Sequence, residues 1–216
     1  MSNSREQILQ SLRRENRPFP SANAPSSYLH MVPLDDLSPE ELETIFIENA
    51  KKAACIVYQP ATQEEAIQTL LEIVDDDRKI SSWELDQIPL HGLESALDKA
   101  GIAHVGEDAL VQVGVTGVEA ALAATGSLVL TSGHGRYRAA SLLPPIHVAV
   151  VTCSQITTDL ETWLAGQRAK GLERMRQASN IVIITGPSRT ADIAMQLVMG
   201  MHGPREMHII LIDDAR

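Results

Sequence analysis

Two stretches of this 216-residue chain gather groups able to hold an anion. In one, the apolar run Ile181-Val182-Ile183-Ile184 empties into Gly186-Pro187-Ser188-Arg189-Thr190-Ala191-Asp192. Gly186 lets the backbone turn close to a ligand. Ser188 or Thr190 can cap a helix or present a hydroxyl, and the unpaired amides of a helix start attract negative charge. Arg189 adds a planar, two-pronged donor suited to carboxylate or phosphate. Asp192 can hold Arg189 or accept a hydrogen bond from a hydroxylated substrate. The same residues also read as a capped helix with a structural Arg–Asp pair.

The other stretch runs from Thr125 to Arg138, with a strand between two glycine points, Gly126-Ser127 and Gly133. It leaves through Ser132-Gly133-His134-Gly135, read as a flexible loop, into Arg136 and Arg138. A chain with a net charge of −10 has little reason to gather arginines beside glycines unless something anionic approaches. Surface pairing with nearby carboxylates is the alternative. His134 is either a general base or a solvated loop histidine. His202, in Met201-His202-Gly203-Pro204, either meets the last carbonyls of a helix or lines the site. Glu119 reads as a surface glutamate on a helix, with a catalytic carboxylate forming a glutamyl ester as the other choice.

These groups need a scaffold of strands whose ends converge. Apolar periodicity predicts strands at 54–58, 79–83, 102–105, 110–115, 127–131, 146–151, 181–185 and 207–212. Helices follow three capping boxes, Ser38-x-x-Glu41, Thr62-x-x-Glu65 and Thr158-x-x-Glu161. Further helical pieces are expected at 92–99, 118–123 and 189–198. Strands alternating with helices imply an α/β fold with a mainly parallel sheet, which places ligands at the carboxyl ends of the strands. Ahead of this domain, residues 38–216, lies a helix opened by Ser4-x-x-Gln7 and a proline-containing arm, together residues 1–37.

Composition excludes several functions. The negative charge and an aromatic content of 3% argue against nucleic acid. No apolar run approaches the ~20 residues that span a bilayer, and the first residues lack a signal core, so a cytoplasmic protein is expected. Cys55 and Cys153 sit in apolar runs and read as buried thiols. No Cys/His cluster suggests a metal, and no Walker loop, nucleophile elbow or dinucleotide fingerprint is present.

The segments "ATGSLVLTSG…SLLPPIHVAVV", "TGPSRTADI" and "GMHGP" with "MHIILI" resemble the lactate utilization protein C family, the LUD domain. The opening "REQILQSLRREN" is similar to that family's first helix. The resemblance implies a three-layer α/β sandwich akin to sugar-phosphate isomerases and CoA transferases. It also implies a place in a multi-protein system that oxidises L-lactate to pyruvate. Iron–sulfur clusters would be carried by partner subunits and no cofactor by this chain. The residues add a pocket for a small anion, and two other readings stand beside the lactate-oxidation subunit: an independent enzyme acting on a phosphorylated, folate or acyl-CoA substrate, and a non-catalytic assembly subunit. The family often has glutamate where this chain has Ala124 and Ala194.

Overall fold

The computed structural model describes residues 4–14, 37–75, 78–105, 108, 110–191 and 197–214. The chain divides into two units, Met1–Met31 and Val32–Arg216. In the first, helix α1 spans Ser4–Arg14. Residues 15–36, which hold most of the proline-containing arm, lie outside the described residues.

The second unit begins with α2 (Pro39–Lys52), β1 (Ile56–Tyr58), α3 (Gln63–Val74), β2 (Lys79–Ser82), α4 (Leu93–Ala100) and β3 (Ala103–Val105). Next come β4 (Val113–Thr116), β5 (Ala120–Leu122), β6 (Ser127–Ser132), β7 (Ile146–Thr152) and β8 (Ile156–Thr157). The chain closes with α5 (Leu160–Ala169), α6 (Glu173–Gln177), β9 (Asn180–Ile184), β10 (Arg189–Ala191), β11 (Leu197–Met199) and β12 (Glu206–Ile212).

Six strands form one sheet in the order β1-β12-β7-β4-β2-β3, every pair parallel. A parallel sheet is covered on both faces, so its central strands carry unbroken apolar runs rather than alternation. That is why His147–Thr152 and Met207–Ile212 are buried throughout. Helix α3 packs on β12 and touches α4, and α2 touches both β1 and β8. Phe46 of α2, Leu70 of α3 and Leu97 of α4 are buried in the same core as Ile80 and Ile209.

From β2 the chain moves outward to β3, then returns to β4 on the other side of β2 and continues to β7. The direction of winding therefore reverses between β2 and β4, and a crevice is expected beyond their carboxyl ends.

One expected capping box forms in full and a second in part. Ser38 N donates to Glu41 at 2.8 Å and Glu41 N to the Ser38 hydroxyl at 3.3 Å. Glu65 N donates to Thr62 at 3.2 Å, while the Glu65 carboxylate reaches one residue further back, to Ala61 N. The third is displaced. Asp159, not Thr158, caps α5, accepting from Thr162 N at 2.7 Å. Ala124 N holds the Thr158 carbonyl as an extension of the β8 ladder, so the helix starts later.

Two expected helices are strands. Residues 120–122 form β5, antiparallel to β6 and parallel to β8 in a second sheet ordered β8-β5-β6-β9. Alanines 120 and 121 and Leu122 are all buried, which leaves no solvated face for a helix. Residues 189–191 and 197–199 form an antiparallel hairpin instead of one helix, pairing Arg189 with Met199 and Thr190 with Val198. Its base is closed by Gly200 N on the Ser188 carbonyl, and Ser188 N bonds the Pro204 carbonyl. These backbone ties outweigh the helix expected there.

Candidate functional site

Glu119 is the only charged residue in the run Val118-Glu119-Ala120-Ala121-Leu122-Ala123, and its side chain is 4% exposed. A carboxylate inside a protein requires countercharge and hydrogen bonds. Glu119 has both. Arg136 Nη1 meets Oε1, Arg174 Nη1 donates to Oε2 at 2.8 Å, and the Thr131 hydroxyl donates to Oε1 at 3.0 Å. The surface glutamate expected on a helix is thus an interior carboxylate just ahead of β5, shared by two guanidiniums.

The two arginines are held differently. Arg136 Nη1 also donates to Thr131 at 2.7 Å, and its Nε and Nη2 both reach Gln87 Oε1 at 3.2 Å. Its guanidinium lies 5.5 Å from the centre of the Trp83 ring, within cation–π range. Four of its five N–H groups are therefore satisfied by the protein. Arg174, from α6, is 64% exposed, and among the described residues its side chain bonds Glu119 alone. Arg136 is the scaffold and Arg174 the open hand. One carboxylate against two guanidiniums leaves the cluster with positive charge.

A cavity of about 290 Å³ opens beside them, lined by Gln87, Thr131, Gly133, His134, Arg136 and Arg174. Trp83 and Gln87 follow β2, and Gly117 follows β4, so the cavity belongs to the carboxyl-end crevice. Gly117 allows this approach: a Cβ there would come 2.8 Å from the Gln87 carbonyl. The loop expected to be flexible is a closed turn. Gly133 and Arg136 exchange backbone hydrogen bonds at 3.2 and 3.1 Å, with Gly135 at φ +72°. Glu84 N ties that turn to the end of β2 through the Gly135 carbonyl at 2.7 Å.

The other residues singled out in the sequence lie elsewhere. Arg138, Gly186, Ser188 and His202 line a separate cleft of about 160 Å³ with Leu142 and Ile184. Its walls include Pro204, just before β12, so it sits at the amino end of the sheet. Arg189 turns back on the chain, donating from Nη2 to the Ala53 carbonyl at 2.8 Å. The notch of helix amides expected around it is not formed, because the strand β10 begins at that residue. Thr190 is paired in the hairpin. Asp192 and Ala194 lie outside the described residues.

Gly126 and Ser127 have packing roles. At φ +66°, Gly126 sits where a Cβ would come 2.2 Å from Ala50 N. The Ser127 hydroxyl bonds those of Thr125 and Thr185 at 2.7 and 2.6 Å. Ala124 contributes a carbonyl, which accepts from Asn49 Nδ2 at 3.3 Å. Neither cysteine is poised as a nucleophile. Burial pushes the Cys55 thiol up to about 11, and burial followed by the Glu43 charge pushes Cys153 up to about 12. Among the described residues no helix is long and apolar enough to cross a membrane.

Sequence reasoning missed Arg174, Gln87, Thr131 and Trp83, and it discounted Glu119. The signal was a single acidic residue among small apolar ones, which must either lie on a surface or recruit partners.

Comparison with known proteins follows the same lines. The LUD domain family model matches residues 43–212. Lactate utilization protein C of Halalkalibacterium halodurans is 30% identical over 188 residues, spanning 82% of this chain and 81% of that protein. Its namesake in Shouchella clausii is 28% identical over 199 residues, spanning 84% and 83%. The crystal structure of a DUF162 family protein from Deinococcus radiodurans shares the fold, with a TM-score of 0.59 at 18% identity, covering 82% of this chain and 99% of that one. By the extent of the family match, this chain belongs to the LUD domain family.

Proposed function

We propose that this protein serves lactate utilization and that its carboxyl-end cavity holds a small anion, the carboxylate of a hydroxy or keto acid. The first half rests on relatives named lactate utilization protein C. The second rests on one observation: a buried carboxylate organises two guanidiniums at the switch point of a parallel sheet, and only one is saturated by the protein. Arg174 takes the carboxylate, and His134 and Gln87 face the remainder of the ligand. Glu119 and Arg136 are positioning residues.

Oxidation of lactate removes two electrons and needs an acceptor. In this reading the acceptor is supplied by iron–sulfur partner proteins, with the chain acting as one subunit in the cytoplasm. The paired guanidiniums also suit a phosphate, which favours as second reading an independent enzyme of a phosphorylated substrate.

The test is Arg174→Ala as the sole copy in its own cell. The expected outcome is loss of growth on L-lactate with normal growth on another carbon source, and a purified protein with unchanged thermal midpoint. Normal growth on lactate removes the site. Stabilisation of the wild type by phosphorylated ligands, with none by lactate or pyruvate, moves the assignment to the second reading.

A further inference from the structure

The amino-end cleft has chemistry of its own. Arg138 is exposed on its rim, and its side chain makes no hydrogen bond or ion pair with any described residue. The His202 imidazole lies on the same rim, and the Ser188 hydroxyl, which accepts weakly from His202 N at 3.4 Å, lines it. The same cleft is lined by apolar side chains, Leu142, Val182 and Ile184. One end can therefore receive a charged head through a guanidinium, with hydroxyl and imidazole donors beside it. The rest of the lining is mostly apolar, with Ser141 and the backbone of Gly186 and Gly203 beside it. At about 160 Å³ the cleft is little more than half the volume of the carboxyl-end cavity. It also lies below the ~300 Å³ at which pockets for drug-sized ligands begin.

We propose that this cleft is a second binding site, for a small monocarboxylic acid with a short alkyl tail. The carboxylate pairs with Arg138 and the tail covers Leu142, Val182 and Ile184. A guanidinium suits a carboxylate because two parallel N–H groups match its two oxygens. A mostly apolar lining disfavours inorganic phosphate, whose acceptor oxygens outnumber the donors offered there. The site is independent of the carboxyl-end cavity, so either assignment can fail alone.

Space at Gly203 supplies the steric probe. Its φ is not in the left-handed region, and an added Cβ would stand 3.5 Å from Ser188 Cβ, an ordinary contact. A larger side chain there narrows the cleft from within.

The experiment uses the full chain and four probes, isobutyrate, acetate, the neutral isostere isobutyramide and inorganic phosphate, with binding read by calorimetry and ligand-observed NMR. Isobutyrate is expected to bind more tightly than acetate, and isobutyramide and phosphate not to compete with it. Arg138→Ala should weaken isobutyrate by at least about tenfold, since it removes the two-pronged, charge-assisted pairing with the carboxylate. Gly203→Val should weaken it similarly, and Arg174→Ala should leave it unchanged. Any of four results overturns the assignment: no isobutyrate binding to the wild type, binding unmoved by both cleft variants, binding lost with Arg174→Ala, or displacement by phosphate. A thermal midpoint for each variant guards against misfolding, and Arg138→Ala, on the surface, decides the matter if Gly203→Val does not fold.

Discussion

Arg136 and Arg138 are two residues apart yet serve opposite ends of the parallel sheet. At the carboxyl end, Arg136 is enclosed by Glu119, Thr131, Gln87 and the Trp83 ring. At the amino end, the Arg138 side chain lines a half-apolar cleft and bonds to nothing among the described residues. The turn Arg138–Ser141 passes over β4, where a Cβ on Gly114 would come 1.8 Å from the Ala140 carbonyl, and so carries the chain from one end toward the other. Residue type and proximity in sequence therefore say little about an arginine's task. Saturation of its donors says more. A guanidinium whose N–H groups are consumed by the protein orders other groups, and one that is left open is available to a ligand.

The largest expected effect tests that contrast directly. Glu119→Ala leaves the half-buried Arg136 without its counter-ion. Removing one partner of a fully buried pair costs about 3–5 kcal/mol, and the partial exposure of Arg136 places this loss toward the lower end. Urea unfolding measures it, with Glu119→Gln as the milder variant that keeps a hydrogen-bond acceptor. A cost near zero for Glu119→Ala would mean that Arg136 is solvated, and the contrast with Arg138 would collapse.

Next in size is a pH effect on the sheet between the two ends. His147 of β7 is fully buried; its Nε2 lies 2.9 Å from the Thr116 hydroxyl and its Nδ1 has no partner among the described residues. Burial first, and the nearby His208 second, push its pKa down to about 4. In the unfolded chain a histidine takes up a proton near 6.5. Below that value the unfolded state binds more protons than the native one. Stability is thus complete above about 6.5 and declines as pH falls toward 4, by roughly 2–3 kcal/mol from this residue. His208 is lowered as well, mainly by burial, so the share of His147 is read as the difference from His147→Gln in urea titrations at neutral and acid pH. Equal slopes for the two proteins would show that water reaches the interior between the ends.

The smallest effect belongs to Arg138→Ala. Having no bonded partner among the described residues, it should shift unfolding stability by no more than about 0.5 kcal/mol, as for an ordinary surface substitution. A larger loss would reveal a structural role and weaken the contrast from the other side.

Much of the scaffold is legible in the chain alone. The runs around His147–Thr152 and Met207–Ile212 announce buried parallel strands because a sheet covered on both faces needs no polar alternation. Ser38 and Thr62 announce their helices because an N-cap is a local device, complete within four residues. What fails is non-local. Residues 120–122 look helical in composition, and only the neighbouring β6 and β8 make them a strand. Residues 189–191 and 197–199 pair as strands, and the base of that pair is tied to Pro204. The site follows suit. Gly133, His134 and Arg136 can be found because they are neighbours in the chain, whereas Gln87, Glu119 and Arg174 meet across 87 positions and no spacing rule connects them.

The last turn of α2 is pinched by two glycines at once. A Cβ at Gly126 would run into Asn49 and Ala50, and one at Gly186 would come 2.1 Å from the Ala53 carbonyl that also accepts from Arg189. A helix gripped at both places behaves as a keyed shaft. Inserting one residue inside it would advance that turn by about 1.5 Å and rotate it by about 100°, releasing both grips together. Length polymorphism in relatives should consequently be tolerated ahead of Ser38 and selected against between there and Cys55.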